Sequence, residues 1–195
     1  MPRDPHHAGI IFPLHDFWEL MGQPPPHLEL VTGEEVPPPY HDLLVHRRDM
    51  TPTLEAWHGD RLHLELLNRE RRDQVYAREV LLRRNRDGAP VEYGVIQIYL
   101  DRFPALAVPR IVEAKTPLGA IFREFDIPHR SEPWGFLCVT PNQLLRALFE
   151  LDGKPALYGR LNTLYGLQAQ PLAEVLEILP PTATRGISAP PPALG

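Results

Sequence analysis

VYAREVLLRRNRDGAPVEYGVIQIYL, residues 75–100, decides the architecture. In its first ten residues Val75, Ala77 and Glu79 fall on one side and Tyr76, Arg78 and Val80 on the other, the period of two that marks a strand. NRDG at 85–88 supplies an Asp-Gly hairpin turn, and APVEYGVIQIYL at 89–100 reads as the return strand. Two strands joined so tightly must run antiparallel. Working outward, RLHLELLNRER (61–71) alternates Leu62, Leu64 and Leu66 against His63 and Glu65 and predicts a further strand. GFLCV (135–139) predicts another. ALYGRLNTLYG (156–166) and PLAEVLEILP (171–180) predict a closing hairpin.

Helices are fewer. DLLVHRR (42–48) reads as a helix end, and DMTPTLEAWHG (49–59) as a helix capped by Asp49 or Thr51, with Pro52 early and Gly59 at the stop. EAKTPLGAIF (113–122) predicts a helix start with Thr116 as N-cap and Pro117 first. TPNQLLRALFEL (140–151) predicts another, with Thr140 as cap and Pro141 first. Strands in short-turn succession with helices interspersed make this an α+β fold, one domain built on a mostly antiparallel sheet.

The 195 residues are 43% hydrophobic, enough for one domain with a real core. The 24 prolines cluster towards the two ends, at 24–26, 37–39, 180–181 and 190–192. The expected organisation is a proline-rich N-terminal arm over residues 1–40, a domain over 41–181 and a disordered tail over 182–195. A net charge of −5 argues against nucleic acid as a partner. The basic runs at 47–48 and 69–72 are flanked by acids and read as solvated faces. The single cysteine, Cys138, lies in an apolar run, so it reads as a small core hydrophobe in a reducing, cytoplasmic setting. Neither a membrane-spanning stretch nor a signal peptide is recognisable.

The chemistry-bearing motifs are few. The nine histidines show no metal-ligand spacing. No phosphate loop, Rossmann fingerprint or Gly-x-Ser-x-Gly elbow is present, and the two serines, Ser131 and Ser188, lack nucleophile surroundings. The expectation is therefore a site without metal or cofactor. Charged residues inside apolar strands remain: Arg78, Arg160, Glu174 and Glu177. Such residues are costly unless paired or presented to a ligand. Two readings stay open on these residues alone. Arg78 and a glutamate of the last strand form an ion pair or face water, or else a lone arginine serves as the fork for a carboxylate.

The order DMT (49–51), REVLL (78–82), KTPLG (115–119), LYGR (157–160) and a closing strand ending in Glu-Ile-Leu-Pro (177–180) resembles the chorismate pyruvate-lyase family, over roughly residues 42–180. The resemblance implies an antiparallel sheet whose helices close over a buried ligand site. It also implies a cofactor-independent enzyme that converts chorismate to 4-hydroxybenzoate and pyruvate. Carried over by position, Arg78 would grip the ring carboxylate, and the backbone N–H of Leu118 would hold the ligand. Gly119 would keep the approach open, and Met50 would contact the ligand under a flap. The family's glutamate falls at Leu176, one place before Glu177. Glu177 is then the expected acid if a β-bulge turns it to the pocket, and Glu174 the alternative. The family's arginine after the return-strand glycine is missing, since Val95 follows Gly94. Arg160 is the candidate for the second carboxylate, and residues 42–59 would act as a lid.

Two other functions share the fold expectation. One is a non-catalytic sensor of aromatic acids, related to the ligand-sensing domain of one class of bacterial transcription regulators. No helix-turn-helix segment is read ahead of the domain, which argues against a complete regulator. The other is a lyase or cyclase of secondary metabolism acting on another substrate. A monomer or homodimer is expected.

Overall fold

A computed structural model of the chain describes residues 24–181. The expected hairpin forms as read: β3 (Val75–Arg84) pairs with β4 (Pro90–Tyr99), Arg78 lying opposite Ile96 and Val80 opposite Gly94. Gly88 closes the turn at φ +69°, a left-handed backbone that favours glycine. The other strands are β1 (His27–Val31), β2 (Leu62–Arg72), β5 (Arg130–Thr140), β6 (Leu157–Tyr165) and β7 (Pro171–Leu179). They form one sheet in the order β1-β5-β6-β7-β4-β3-β2, with every neighbouring pair antiparallel. The α+β class with a mostly antiparallel sheet is the observed one.

β1, from the proline-rich stretch before residue 40, enters the sheet as an edge strand against β5, His27 opposite Thr140 and Val31 opposite Phe136. Residues 1–23 and the tail at 182–195 lie outside the described residues. The helices are α1 (Tyr40–Leu44), α2 (Met50–His58), α3 (Val108–Glu113), α4 (Leu118–Glu124) and α5 (Gln143–Leu148). α2 matches its expectation, entered through extended Asp49 and closed by Gly59 at φ +60°. Two caps differ. Pro117, not Thr116, is the N-cap of α4, its ψ of 143° keeping it outside the helix. Asn142, not Thr140, caps α5, its side chain accepting the Leu145 N–H at 2.9 Å.

Strand periodicity gives the sheet two different faces. One carries Ala77, Leu81, Tyr93, Val95, Leu176 and Ile178 and is sealed by Leu145 and Phe149 at α5. Its one buried acid, Glu79, accepts a 2.6 Å hydrogen bond from the Tyr93 hydroxyl. The opposite face is covered in two parts. α1 and α2 pack Leu43, Leu44, Met50 and Leu54 over Leu62, Leu82 and Leu179. α3 and α4 pack Ile111, Leu118, Ile121 and Phe122 over Ile96, Ile98, Leu164 and Val175. Each such fully buried side chain is worth roughly 1.5–3 kcal/mol of burial free energy. The buried charged residues of this face, Arg78, Glu92, Arg160 and Glu177, lie at the seam between these two parts.

Candidate functional site

Two adjacent rows of side chains cross this face. The pairings align Arg78, Ile96, Val175 and Asn162 in one row and Val80, Gly94, Glu177 and Arg160 in the next. A cavity of about 70 Å³ opens above them. Arg78, Glu92, Gly94 and Glu177 lie in its floor, and Asn162, Val175 and Leu164 form one wall. Asp49, Met50 and Thr51 at the start of α2 and Pro117, Leu118, Gly119 and Phe122 of α4 complete it.

Arg78 is 1% exposed. One terminal nitrogen, Nη2, donates to the Thr116 carbonyl at 3.3 Å, while Nε and Nη1 have no hydrogen-bond partner. Burial pulls its pKa down to about 10, which leaves the guanidinium charged at neutral pH. A charged, planar donor fork with two nitrogens unpartnered in a desolvated cavity matches a carboxylate.

Glu177 faces the same cavity, in regular register with Gly94 on one side and Arg160 on the other. The pairing of β6 with β7 skips Leu172, between Pro171 opposite Tyr165 and Ala173 opposite Leu164, and this irregularity supplies the one-residue shift counted from Pro171. Glu174 and Leu176 share the opposite face, where Glu174 accepts from the Tyr99 hydroxyl at 3.0 Å. Of the two glutamates, Glu177 is the one at the site.

Arg160 differs from its expectation. It is fully buried, forms an ion pair with Glu177 through Nε, and donates to the carbonyls of His46 at 3.1 Å and Arg48 at 3.3 Å. Each of its nitrogens has an acceptor, so it ties residues 44–48 to the sheet and offers no free fork for a second carboxylate. Its neighbour His46 is held neutral: burial first, then the charges of Arg160 and Arg48, lower its pKa to about 4.

Met50, Leu118 and Gly119 line the cavity. A Cβ at Gly119 would meet only Asp49 Oδ2, at 3.9 Å, so no close contact within the protein requires glycine there. α4 is only seven residues long, and its first turn carries Leu118 into the core at 5% exposed.

The sequence reading missed three contributors. Glu92 is 5% exposed with Oε2 unpartnered. Burial and the Glu177 charge push its carboxyl well above the usual range, Arg160 opposing. Its signal was parity with Gly94 along the return strand. The other two form a latch: the Asp49 carboxylate meets His129 Nε2 at 3.0 Å, while His129 Nδ1 faces the Ile127 carbonyl at 3.1 Å. With an acceptor on both ring nitrogens, the imidazole favours its charged form. Its pKa is raised, chiefly by the hydrogen bond to Asp49. His129 also stacks on Phe122, ring centroids 4.0 Å apart. This contact between residues 80 positions apart has no local sequence signal. Among the described residues, no group of three or more His, Cys, Asp or Glu could hold a metal ion, and no helix is long and apolar enough to cross a membrane.

No protein-family model matches the chain, and no curated protein does. Solved structures do match. The effector domain of PhnF from Mycobacterium smegmatis is 16% identical with a TM-score of 0.54, the match covering 68% of this chain and 88% of that one. A structure of PhnF from the same organism is 15% identical, also with a TM-score of 0.54, over 70% of this chain; this chain spans 65% of that protein's length. The ligand-binding domain of a putative GntR-family transcriptional regulator from Bordetella bronchiseptica is 15% identical over 60% of this chain and 85% of that one, with a TM-score of 0.47. At these identities the likeness establishes the fold, a chorismate lyase-like one shared with regulator domains. The expectation of an enzyme, a chorismate pyruvate-lyase, is corrected: the matching structures are described as an effector domain and a regulator's ligand-binding domain, and neither is described as an enzyme. Arg160, expected to take a second carboxylate, is engaged by Glu177 and backbone carbonyls.

Proposed function

We propose that this chain is a non-catalytic ligand-binding module, a cytoplasmic sensor or carrier, for a small monocarboxylic acid with an apolar, aromatic-sized body. One observation carries the reading: buried Arg78, with two unpartnered nitrogens, lines a cavity with apolar walls. A buried charge with unmet donors is costly, and a carboxylate accepting from the guanidinium neutralises that charge and meets a free donor. Val80, Leu82, Ile96, Phe122, Leu164 and Val175 offer the body of the ligand dry contacts.

Size adds a condition. A cavity of about 150 Å³ accommodates benzene in other proteins, and this one is about 70 Å³. An aromatic acid therefore enters only if the start of α2 lifts, and the Asp49–His129 contact is the latch that yields. Such an opening at the start of α2 would give a sensor its readout.

The test is calorimetric titration at pH 7 with benzoate, 4-hydroxybenzoate and phenol, alongside incubation with chorismate while pyruvate is followed. The expected result is one-to-one binding of the acids, none of phenol, loss of binding in Arg78→Met, and no pyruvate. Equal binding of acid and phenol, or binding untouched in Arg78→Met, would sink the reading.

A further inference from the structure

Glu92 is the buried acid that the carboxylate fork leaves unexplained. It projects from β4 into the cavity floor, and its Oε1 lies 3.3 Å from where a Cβ on Gly94 would stand. The carboxyl therefore leans along the strand over bare backbone, towards the centre of the cavity. Charge around it is one-sided. Glu177 is a close acid, and the nearby cation Arg160 already spends its donors on Glu177 and on the carbonyls of His46 and Arg48. An ionised Glu92 would be a buried charge with no counterion and one oxygen unpartnered, which costs more than taking up a proton. As a mere core filler an acid is a poor choice here, since a leucine would bury the same space without that cost.

Register sets the distance it can serve. Arg78 lies opposite Ile96, four residues along β4 from Glu92, or about 13 Å between backbone positions at strand spacing. Both side chains stand on one face and are long, with Gly94 and Ile96 between them. A small molecule bridging them has its anionic end at Arg78 and its far end at Glu92.

We propose that Glu92, as a neutral carboxyl, donates a hydrogen bond to an oxygen at the end of the ligand opposite its carboxylate. The site then selects a monocarboxylic acid bearing a distal hydroxyl, carbonyl or ether oxygen over both the bare acid and the diacid. The inference rests on the carboxylate-binding reading of Arg78. A diacid is rejected because its second carboxylate would be buried near Glu177 with no free cation to pair it, Arg160 being already engaged.

The test titrates wild type, Glu92→Gln and Glu92→Leu with benzoate, 4-hydroxybenzoate and terephthalate. It adds infrared spectra of the ligand-free proteins at pH 7. Wild type is expected to prefer 4-hydroxybenzoate over benzoate by tenfold or more and to bind no terephthalate. Glu92→Gln, which keeps a donor, retains most of the preference. Glu92→Leu loses the preference while still binding benzoate, which also shows that it folds. A protonated-carboxyl band present in wild type disappears in Glu92→Gln. Preference unchanged in Glu92→Leu, preference lost in Glu92→Gln, or absence of the band each overturns the role of Glu92. Failure of wild type to bind any acid overturns the Arg78 reading and takes this ligand role with it, and the band then reports the protonation of Glu92 separately.

Discussion

Arg78 and Arg160 invite direct comparison. They are 1% and 0% exposed, rise from adjacent rows of the same sheet face, and carry the same group. Their surroundings differ. Arg160 has Glu177 on one side and a chain of carbonyls on the other, so it behaves as a clamp. Arg78 has one carbonyl, that of Thr116, and two nitrogens without partners. Burial alone does not separate a structural arginine from a binding one; the count of satisfied donors does.

Removing each arginine should therefore have opposite consequences. Arg160→Met leaves Glu177 buried beside Glu92 without a counterion. Stability is expected to fall by about 3–5 kcal/mol, measured by urea denaturation. Arg78→Met removes a buried charge that lacked a counterion, so stability should hold or rise. Affinity for a carboxylic acid should fall by roughly 100-fold, on the scale of hydrogen bonds to charged groups. A stability loss in Arg78→Met as large as that in Arg160→Met would break the comparison.

The histidines beside the two regions sharpen it through pH. His46, next to Arg160, has its pKa lowered from 6.5 to about 4. Its contribution is complete above 6.5 and is lost as pH falls towards 4, a slope that His46→Gln should flatten. His129, across the cavity, has its pKa raised by Asp49. Its contribution is complete below about 6.5 and is lost as pH rises through the raised value, a slope that Asp49→Asn should remove. Urea midpoints across pH check both, and slopes of the same sign would contradict the pairing. The smallest effect is expected at Gly94→Ala, whose Cβ would meet Val80 Cγ2 at 3.2 Å and Glu92 Oε1 at 3.3 Å. Stability should fall by about 1 kcal/mol, overpacking being offset in part by the better strand propensity of alanine, while acid affinity drops because the cavity floor rises.

The strands were legible wherever local periodicity and a turn coincided, as at 75–100 and 156–180. β1 was not: HLELV is five residues between proline runs, and only its pairing with β5, more than a hundred positions away, makes it a strand. Part of the site was legible for a related reason. Arg78, Met50, Leu118, Gly119 and Glu177 do converge on one cavity. Arg160 was misread because two of its acceptors are backbone carbonyls of His46 and Arg48, and a backbone acceptor leaves no mark in a sequence. Glu92 shares its parity with Gly94, but the offset that sets it on the face of Arg78 depends on the register between β3 and β4.

The contrast between the two arginines is most directly tested by following their side-chain Nε–H resonances by NMR while 4-hydroxybenzoate is added, assigning each with Arg78→Met and Arg160→Met. The Arg78 signal should move on saturable binding, and the Arg160 signal, already bonded to Glu177, should stay where it is. Movement of Arg160 with Arg78 unchanged, or no movement of either, would contradict the assignment of Arg78 as the ligand's anchor.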